Sequence, residues 1–323
     1  MRHIRWALVV ALLLAACSSS DDDDSADEPP PGAPPDSEPE AITITVDDAE
    51  LGSLTFDALA AGDPDDAADG RLVLLLHGFP ETSESYREIL PALAAEGYYA
   101  VAPDQRGYSP GARPAEVADY QILHMVDDTL AMADELGADD FHLVGHDWGG
   151  GVAWVTAALH PDRISTLAAL STPHPDALSA SFTAPGSEQP EMSRYVGIFA
   201  APGSEATFLP RETFVAAFSS SGMPEAKAEA YADVLATEEA LGAALDWYRA
   251  NPIPSEVELG PVDVPTLYVW GSEDLALGRT AAEGTADHVD AAYEFVELEG
   301  EGHWLPETAT DEVTDHVLSQ LSG

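Results

Sequence analysis

The chain of 323 residues has very few basic side chains. It contains 12 lysines and arginines against 59 aspartates and glutamates, which gives a formal net charge of -47, and Lys227 is the only lysine. A surface this acidic repels phosphate groups, which disfavours charge-driven binding to nucleic acid or to an anionic membrane. The composition therefore predicts no nucleic-acid partner and a highly soluble surface, for which a salty habitat is one explanation.

Cysteine is nearly absent, and the chain lacks an apolar run long enough for an ordinary transmembrane helix. Cys17 is the only cysteine, which excludes an intramolecular disulfide. It follows a basic start and the apolar run 6–16, a pattern typical of a signal peptide. The residues Leu-Ala-Ala-Cys that end there resemble a bacterial lipobox; an ordinary signal peptide with an incidental cysteine is the alternative.

The lipobox resemblance implies where the protein is found. Residues 1–17 would be a lipoprotein signal peptide, with Cys17 lipidated to become the new N-terminus. We therefore expect a secreted protein, lipid-anchored to the bacterial cell envelope and facing the periplasm or the exterior, with the anchor as its only membrane contact. Residues 18–40 hold nine acidic residues and six prolines, which predicts a disordered tether between the anchor and the domain.

Beyond this tether, predicted strands and helices alternate. The segments "AITITV" and "GSLTFDALAAG" predict a hairpin, and the continuous apolar run "RLVLLLHG" predicts a strand covered on both faces. A helix is predicted over 84–96, followed by the strand "YYAVAP", a helix over 119–136 and the strand "FHLVG". A further helix and the strand "ISTLAALS" come next. The alternation predicts an α/β fold with a mostly parallel, eight-stranded sheet and helices on both faces.

The alternation of predicted strands and helices is interrupted once. Residues 173–254 hold short helical pieces interrupted by Pro and Gly, with no convincing strand, before "PTLYVWG", "AAYEFVELEG" and a helix near 308–321 resume the pattern. We therefore predict a core formed by 41–172 and 255–323, with 173–254 as a helical cap over the site.

Chemically informative motifs fall where parallel strands are predicted to end, which is the edge where open α/β sheets hold ligand sites. They are "HGFPE" at 77–81, "DQRGY" at 104–108, "GHDWGG" at 145–150, and the pair "GSED" at 271–274 and "GHW" at 302–304. Asp147 stands where a nucleophile elbow ordinarily carries serine, and the order nucleophile, acid, histidine is that of the α/β-hydrolases.

With these motifs the chain from about residue 41 to its end resembles the α/β-hydrolases, and among them the epoxide hydrolases. The segments "HGFPE", "DQRGY" and "GHDWGG" each match that family's pattern, in the same order. The resemblance implies an α/β-hydrolase fold with an inserted helical cap, a small apolar epoxide as substrate, and a reaction that needs no cofactor.

An aspartate at the elbow does different chemistry from a serine. The Asp147 carboxylate can displace a leaving group from an sp³ carbon and form an alkyl-enzyme ester. Hydrolysis of that ester needs a base, for which we predict His303 oriented by Asp274. It also needs oxyanion donors, for which we predict the backbone N–H groups of Phe79 and Trp148. A plain helix N-cap is the alternative role for Asp147.

The resemblance also implies two cap tyrosines that hydrogen-bond the epoxide oxygen as it becomes an alkoxide. Tyr195 in "SRYVGIFAAPG" and Tyr248 in "ALDWYRANP" match family cap segments, although Asp246 replaces a common Asn. A phenol suits this role because it donates while it remains neutral. Simple packing residues are the alternative for both.

Rival functions differ in the leaving group. Haloalkane dehalogenases also carry Asp and Trp at the elbow, but they often place Asn where this chain has Phe79. Fluoroacetate dehalogenases carry basic residues near the nucleophile, where this chain has Trp148. An inert binding protein on a hydrolase scaffold is the alternative outside enzymes. The predicted function is hydrolysis of an epoxide to a vicinal diol, with a haloalkane dehalogenase as the main alternative.

The remaining candidates are expected to support the site. We predict that His77, Pro80, Trp148 and Trp304 line the substrate pocket, with a cis bond before Pro80. Glu273 is an alternative to Asp274, although the Gly-x-x-Asp spacing favours the latter. Supporting roles are also predicted for His146, which would orient the elbow, and for Asp104 and Arg106, which would pair beneath the site. No metal is predicted, because the other histidines lack metal-ligand spacing: His124, His142, His160, His174, His288 and His316.

Overall fold

The computed structural model describes residues 38–255 and 258–323. The predicted signal peptide, the lipidation site Cys17 and the tether up to residue 37 lie outside these residues. Glu40, which we assigned to the tether, already belongs to the first strand. Within the described ranges, every helix is too short or too polar to cross a membrane.

Eight strands form one sheet. They are β1 Glu40–Asp48, β2 Gly52–Ala61, β3 Leu72–Leu76, β4 Tyr99–Pro103, β5 Phe141–His146, β6 Ile164–Leu170, β7 Thr266–Gly271 and β8 Tyr293–Leu298. Their order is β1-β2-β4-β3-β5-β6-β7-β8. The hairpin partners β1 and β2 are antiparallel, β2 runs antiparallel to β4, and the pairs from β4 to β8 are parallel. The predicted fold class is therefore confirmed.

Helices cover both faces of this sheet. They are α1 Leu90–Ala95, α2 Ile122–Glu135, α3 Trp148–Leu159, α4 Pro175–Ser181, α5 Gln189–Met192, α6 Arg194–Phe199, α7 Glu205–Phe208, α8 Arg211–Ser219, α9 Glu225–Val234, α10 Glu238–Ala250, α11 Arg279–Gly284, α12 Leu305–Thr308 and α13 Thr310–Ser322. We call α4 to α10 the helical insert. It joins β6 to β7, and no strand interrupts it in the part of 173–254 that is described. The boundaries of the predicted cap stay a prediction.

The central strands are apolar on both faces because both faces are covered. Every residue of β3 is buried. Leu72, Leu74 and Leu76 join one apolar cluster, which includes α2, α3 and much of the insert, whereas Val73 and Leu75 join a second cluster with α1 and α13. Alternate side chains of a strand point to opposite faces, so one sheet supports two cores.

The predicted helix over 84–96 is replaced by two shorter elements. A 3₁₀ turn spans Ser83–Tyr86, and α1 begins only at Leu90. Pro91 lacks the N–H that a continuous helix would donate to the carbonyl of Arg87, so the helix starts afresh at the proline.

Side chains of the insert hold it to the core. The Tyr231 hydroxyl on α9 lies 2.7 Å from Oε1 of Glu307 on α12. One turn earlier on α9, Nζ of Lys227 donates to the Glu84 carbonyl at 3.0 Å. The first contact fixes α9 beside α12, which follows the predicted catalytic histidine, and the second fixes it beside the 3₁₀ turn.

Candidate active site

The site is built around a sharp turn between β5 and α3. Asp147 occupies this turn with φ 48° and ψ -119°, a region that residues other than glycine rarely adopt. The turn can close because its neighbours lack side chains: a Cβ on Gly149 would lie 2.1 Å from the Leu76 carbonyl oxygen, and a Cβ on Gly145 would lie 2.3 Å from that of Gly149. The turn projects the Asp147 carboxylate beyond the carboxyl edge of the sheet.

The two oxygens of the Asp147 carboxylate have different partners. Oδ1 accepts a hydrogen bond from the Phe79 backbone N–H at 2.9 Å, while Oδ2 lies 3.5 Å from Nε2 of His303. Trp148 is the first residue of α3, where backbone N–H groups have no partner within the helix. Of the two predicted oxyanion donors, the Phe79 N–H thus contacts this carboxylate, and the Trp148 N–H belongs to the next residue along the chain.

His303 is held from its other side by Asp274. Its Nδ1 lies 2.8 Å from Oδ2 of Asp274, whose Oδ1 accepts the backbone N–H groups of Ala276 and Leu277 at 2.7 and 2.9 Å. Asp274 is buried and Glu273 is exposed. The structure thus brings Asp147, His303 and Asp274 together in the arrangement expected from their order.

Electrostatics bias both partners towards charge. Burial would raise the pKa of Asp147, but the hydrogen bond and charge of His303 outweigh it and lower that pKa. Burial would lower the pKa of His303, but the charge of Asp274 and hydrogen bonds to both carboxylates raise it well above its usual value. Both shifts favour a protonated His303 ring beside the ionised Asp147 carboxylate.

Two cavities adjoin at the Asp147 carboxylate. The larger measures about 530 Å³ and lies beside α3, α4 and the end of α10; the smaller measures about 280 Å³ and lies beside α8 and Trp304. Asp147, Tyr195 and Tyr248 line both. The two predicted tyrosines, which belong to different helices of the insert, thus share one space with the predicted nucleophile.

Both phenols are neutral donors. Burial raises the pKa of Tyr195 well above its usual value, and the charge of Asp147 adds to the rise. The same two causes, in the same order, raise the pKa of Tyr248, although a hydrogen bond with the Trp148 side chain opposes them. Asp246, the departure from the family segment, pairs with Arg249 at 2.8 Å and does not line either cavity.

Phenylalanines that the sequence analysis missed shape the smaller cavity. Phe199 packs 5.1 Å from both the Phe79 and the Tyr248 rings, measured between centroids, and Phe218 packs 5.8 Å from Phe79. Phe199 could have been found, since it lies four residues after Tyr195 and thus on the same helix face. Phe218 carries no such signal.

A buried imidazole supports the backbone of the predicted base. Nδ1 of His146 lies 2.8 Å from Oε2 of Glu81, and its Nε2 lies 2.8 Å from the His303 carbonyl oxygen. Glu81 also accepts the Gly78 N–H at 2.7 Å. His146, expected only to orient the elbow, thus links it to the histidine loop.

The four predicted pocket residues divide into two groups. Trp148 lines the larger cavity and Trp304 the smaller one. His77 and Pro80 are buried behind the cavities and line neither. The His77 ring contacts the Gly78 carbonyl at 2.9 Å and accepts the Gln105 N–H at 3.1 Å, which anchors the loop that carries Phe79. The predicted cis bond before Pro80 is present.

The expected pair of Asp104 and Arg106 is wrong. Asp104 accepts the Ser83 N–H at 2.7 Å. The guanidinium of Arg106 instead makes two 2.7 Å bonds to Asp128 on α2 and a 3.1 Å contact with Asp48. A carboxylate presented edge-on satisfies the planar guanidinium with two parallel hydrogen bonds, which Asp104 does not offer.

One group of side chains has the composition of a metal site. Ligand atoms of His174, Asp176 and His288 lie within 4.8 Å of one another. However, the two imidazoles stack at 4.7 Å with planes 3° apart, so their in-plane lone pairs do not converge. The Asp176 carboxylate already accepts the N–H groups of Leu259 and Gly260. This arrangement fits a structural cluster rather than a metal centre.

Comparison with known proteins places this geometry in a family. A family model described as the alpha/beta hydrolase fold matches residues 71–310. Epoxide hydrolase A of Mycobacterium tuberculosis is 30% identical over 313 residues, which cover 85% of this chain and 96% of that protein. The AB hydrolase superfamily protein YfhM of Bacillus subtilis is 29% identical over 276 residues, 83% of this chain and 94% of that protein.

A solved structure agrees with these relatives. The crystal structure of epoxide hydrolase A from Mycobacterium thermoresistibile superposes with a TM-score of 0.73 at 26% identity, covering 88% of this chain and 98% of that one. The chain belongs to the α/β-hydrolase superfamily and, within it, to the epoxide hydrolase family.

Proposed function

We propose that the protein hydrolyses an epoxide to a vicinal diol through a covalent ester on Asp147. The observation that carries this proposal is that Asp147, Tyr195 and Tyr248 line the same two cavities, with His303 3.5 Å from the carboxylate. A nucleophile for carbon, two donors for the departing oxygen and a base for the second step are then all present.

The first step is alkylation of the carboxylate. Oδ1 is engaged by the Phe79 N–H, which supports Oδ2 as the atom that attacks a ring carbon. As the bond from Oδ2 to the ring carbon forms, the bond from that carbon to the epoxide oxygen breaks, and its electron pair stays on the epoxide oxygen. Tyr195 and Tyr248 stabilise the developing alkoxide by hydrogen bonds and supply its proton.

The second step is hydrolysis of the ester. His303 takes a proton from water, and the resulting hydroxide adds to the carboxyl carbon of Asp147. The Phe79 and Trp148 N–H groups stabilise the tetrahedral oxyanion that forms on Oδ1. Collapse breaks the ester bond, and the leaving oxygen takes the proton from His303 as the diol forms. The proton that remains on the Asp147 carboxyl group returns to the tyrosinate left by the first step, which restores the carboxylate and the neutral phenol.

Alkylation itself prepares His303 for this second role. In the free site the ring is flanked by two carboxylates, which raise its pKa. Esterification removes the charge of Asp147, so the pKa of His303 falls at the step where the neutral ring is needed. The charge that makes Asp147 a nucleophile therefore also favours the protonated form of His303, which cannot act as a base, until the ester forms.

The contacts of the site disfavour a haloalkane dehalogenase. The Phe79 side chain packs edge-on against Tyr248, with ring centroids 5.3 Å apart, and offers no polar donor to a halide. The Trp148 ring packs edge-on against the same tyrosine, with ring centroids 5.1 Å apart. Both tyrosines are instead placed to serve an oxygen leaving group.

Product analysis tests the proposed function. We expect diol from styrene oxide and no halide release from chloro- or bromoalkanes of similar size. Halide release without diol formation would replace the proposal with the dehalogenase reaction. A protein inert towards a broad panel of epoxides and haloalkanes would instead favour the binding-protein alternative.

We also propose that the protein is exported and anchored to the cell envelope through lipid on Cys17. The support is the sequence pattern over 1–17. Labelled fatty acid should be incorporated into the native protein and lost from Cys17→Ser, which should also leave the membrane fraction. Unchanged labelling in that variant would refute lipidation at this residue.

A further inference from the structure

Resting on the proposed function, we propose that Gln189 is a positioning residue for the second step of the reaction. Its amide holds the loop that follows Asp274, the acid that orients the base, to the start of the helical insert. Gln189 lines neither cavity, so it acts through this loop and not on the substrate. The position of an acid of the core then depends on a side chain of the insert.

The Gln189 side chain is buried and uses both ends of its amide. It is the first residue of α5 and is 1% exposed. Its Nε2 donates to the Ala276 carbonyl and to the Ser193 hydroxyl, each at 2.8 Å, and its Oε1 accepts the Gly278 N–H at 2.8 Å. Because a carbonyl faces the nitrogen and an N–H faces the oxygen, only one orientation of the amide satisfies the loop.

The acid binds the same stretch of backbone as Gln189. Oδ1 of Asp274 accepts the N–H groups of Ala276 and Leu277. The peptide group between these two residues therefore donates its N–H to the acid and accepts a hydrogen bond from Gln189 on its carbonyl oxygen. A displacement of the Gln189 amide is thus transmitted to Asp274 through a single planar peptide group.

The position of Asp274 matters most for hydrolysis of the ester. In the proposed reaction Asp274 orients His303, whose Nδ1 lies 2.8 Å from Oδ2 of the acid, and His303 activates the water of the second step. The first step relies on Asp147 and the two tyrosines. Because a misplacement of about 1 Å can cost about a hundredfold in rate, a loosened acid should slow the second step selectively.

Rapid-quench mass spectrometry with styrene oxide separates the two steps, because it follows the alkyl-enzyme as it forms and decays. Gln189→Met keeps an unbranched side chain of the same length and removes all three side-chain hydrogen bonds. We expect ester hydrolysis to slow at least about tenfold and alkylation much less, so the alkyl-enzyme should accumulate. Gln320→Met is the matched control. Gln320 donates to the Pro265 carbonyl, at the opposite end of β7 from Asp274, and its loss should change neither rate.

NMR titration of the free protein measures the position of the acid without any turnover. Burial would lower the pKa of His303, but the charge of Asp274 and the interactions with Asp147 outweigh it. With the acid loosened in Gln189→Met, the ring should release its proton at a lower pH than in the wild type. A purely structural role for Gln189 would lower the unfolding temperature and leave this titration curve unchanged, as we expect it to be in Gln320→Met.

Gly278→Ala tests the same contact from the loop side if Gln189→Met does not fold. The backbone angles of Gly278, φ -85° and ψ 158°, suit alanine. The added Cβ would lie 3.3 Å from Oε1 of Gln189 and 3.1 Å from Sδ of Met192, so these side chains must give way by a few tenths of an ångström. We expect ester hydrolysis to slow about threefold or more, again with alkylation much less affected.

The outcomes separate the inference from the function on which it rests. Wild-type ester hydrolysis in the folded variants, equal slowing of both steps, or an unchanged His303 titration in Gln189→Met would overturn the inference and leave epoxide hydrolysis intact. Absence of adduct and diol from the wild-type protein with every epoxide would overturn the proposed function, and the NMR comparison would then still test the position of the acid.

Discussion

Nε2 of His303 lies 3.5 Å from Oδ2 of Asp147, on the opposite side of the imidazole from Asp274. The ring therefore lies between two carboxylates, only one of which can be esterified by a substrate in the cavities. The first step of the proposed reaction uses the charge of Asp147, and the second step depends on its loss.

Removal of the base should trap the ester. In His303→Gln, Asp147 can still attack an epoxide, but no group at this position activates water, so the alkyl-enzyme accumulates. Mass spectrometry of the intact protein should show an increase equal to the mass of the substrate. Asp147→Ala is the control and should show neither adduct nor turnover. An epoxide that His303→Gln binds without forming an adduct would contradict the mechanism.

Neutralising the nucleophile should lower the pKa of His303. The wild-type pKa is raised because the Asp274 and Asp147 interactions outweigh burial. In Asp147→Asn one charge is lost while burial remains, so the ring should release its proton at a lower pH than in the wild type. NMR titration of the His303 ring protons measures this, and identical titration curves would show that Asp147 does not hold the proton on the ring.

The two tyrosines should affect turnover more than binding. Tyr195→Phe and Tyr248→Phe each remove a donor to the forming alkoxide and should lower kcat by about a hundredfold, with a much smaller change in KM. Tyr120→Phe is a suitable control, since that hydroxyl donates to the Pro114 carbonyl and lies outside both cavities. Near wild-type kcat in both cavity variants would remove the tyrosines from the mechanism.

Breaking the buried ion pair beneath the site should destabilise the fold. Asp128→Asn leaves the Arg106 guanidinium, which is 1% exposed, without its bidentate partner and should cost about 3–5 kcal/mol of unfolding free energy. Asp134→Asn, on the same helix, is the control. The Asp134 side chain is 66% exposed and pairs with Arg163, so the loss of this pair should cost about 1 kcal/mol or less of unfolding free energy. Urea denaturation compares them; equal losses would contradict the argument.

Much of the site could be predicted from the sequence, because residues that follow the carboxyl ends of parallel strands lie at the same edge of the sheet. The predicted strands at 141–145 and 265–271 are present, and the elbow and the acid follow them at the same edge of the sheet. The order of Asp147, Asp274 and His303 then sufficed to predict their meeting. Tyr195 and Tyr248 needed the family resemblance, because nothing in helical periodicity distinguishes a cavity tyrosine from a packing one.

Features that depend on tertiary packing were not accessible. Arg106 takes its partner from α2 rather than from two residues away, because the loop after β4 directs Asp104 towards Ser83 instead. The exclusion of His77 and Pro80 from the cavities follows from how the loop folds back on Gln105. The lining of the smaller cavity depends on where Phe218 of the insert packs against Phe79 of the core.

The contact between Lys227 and the Glu84 carbonyl can be monitored through the reactivity of the Lys227 amine. This is the only side-chain amine in the sequence, and it joins the helical insert to the turn after β3. An amine-reactive reagent can therefore modify one side chain only, and must compete with a contact that holds α9 in place. The rate at which that side chain is acylated would report how often the contact between α9 and the turn opens, without any engineered label.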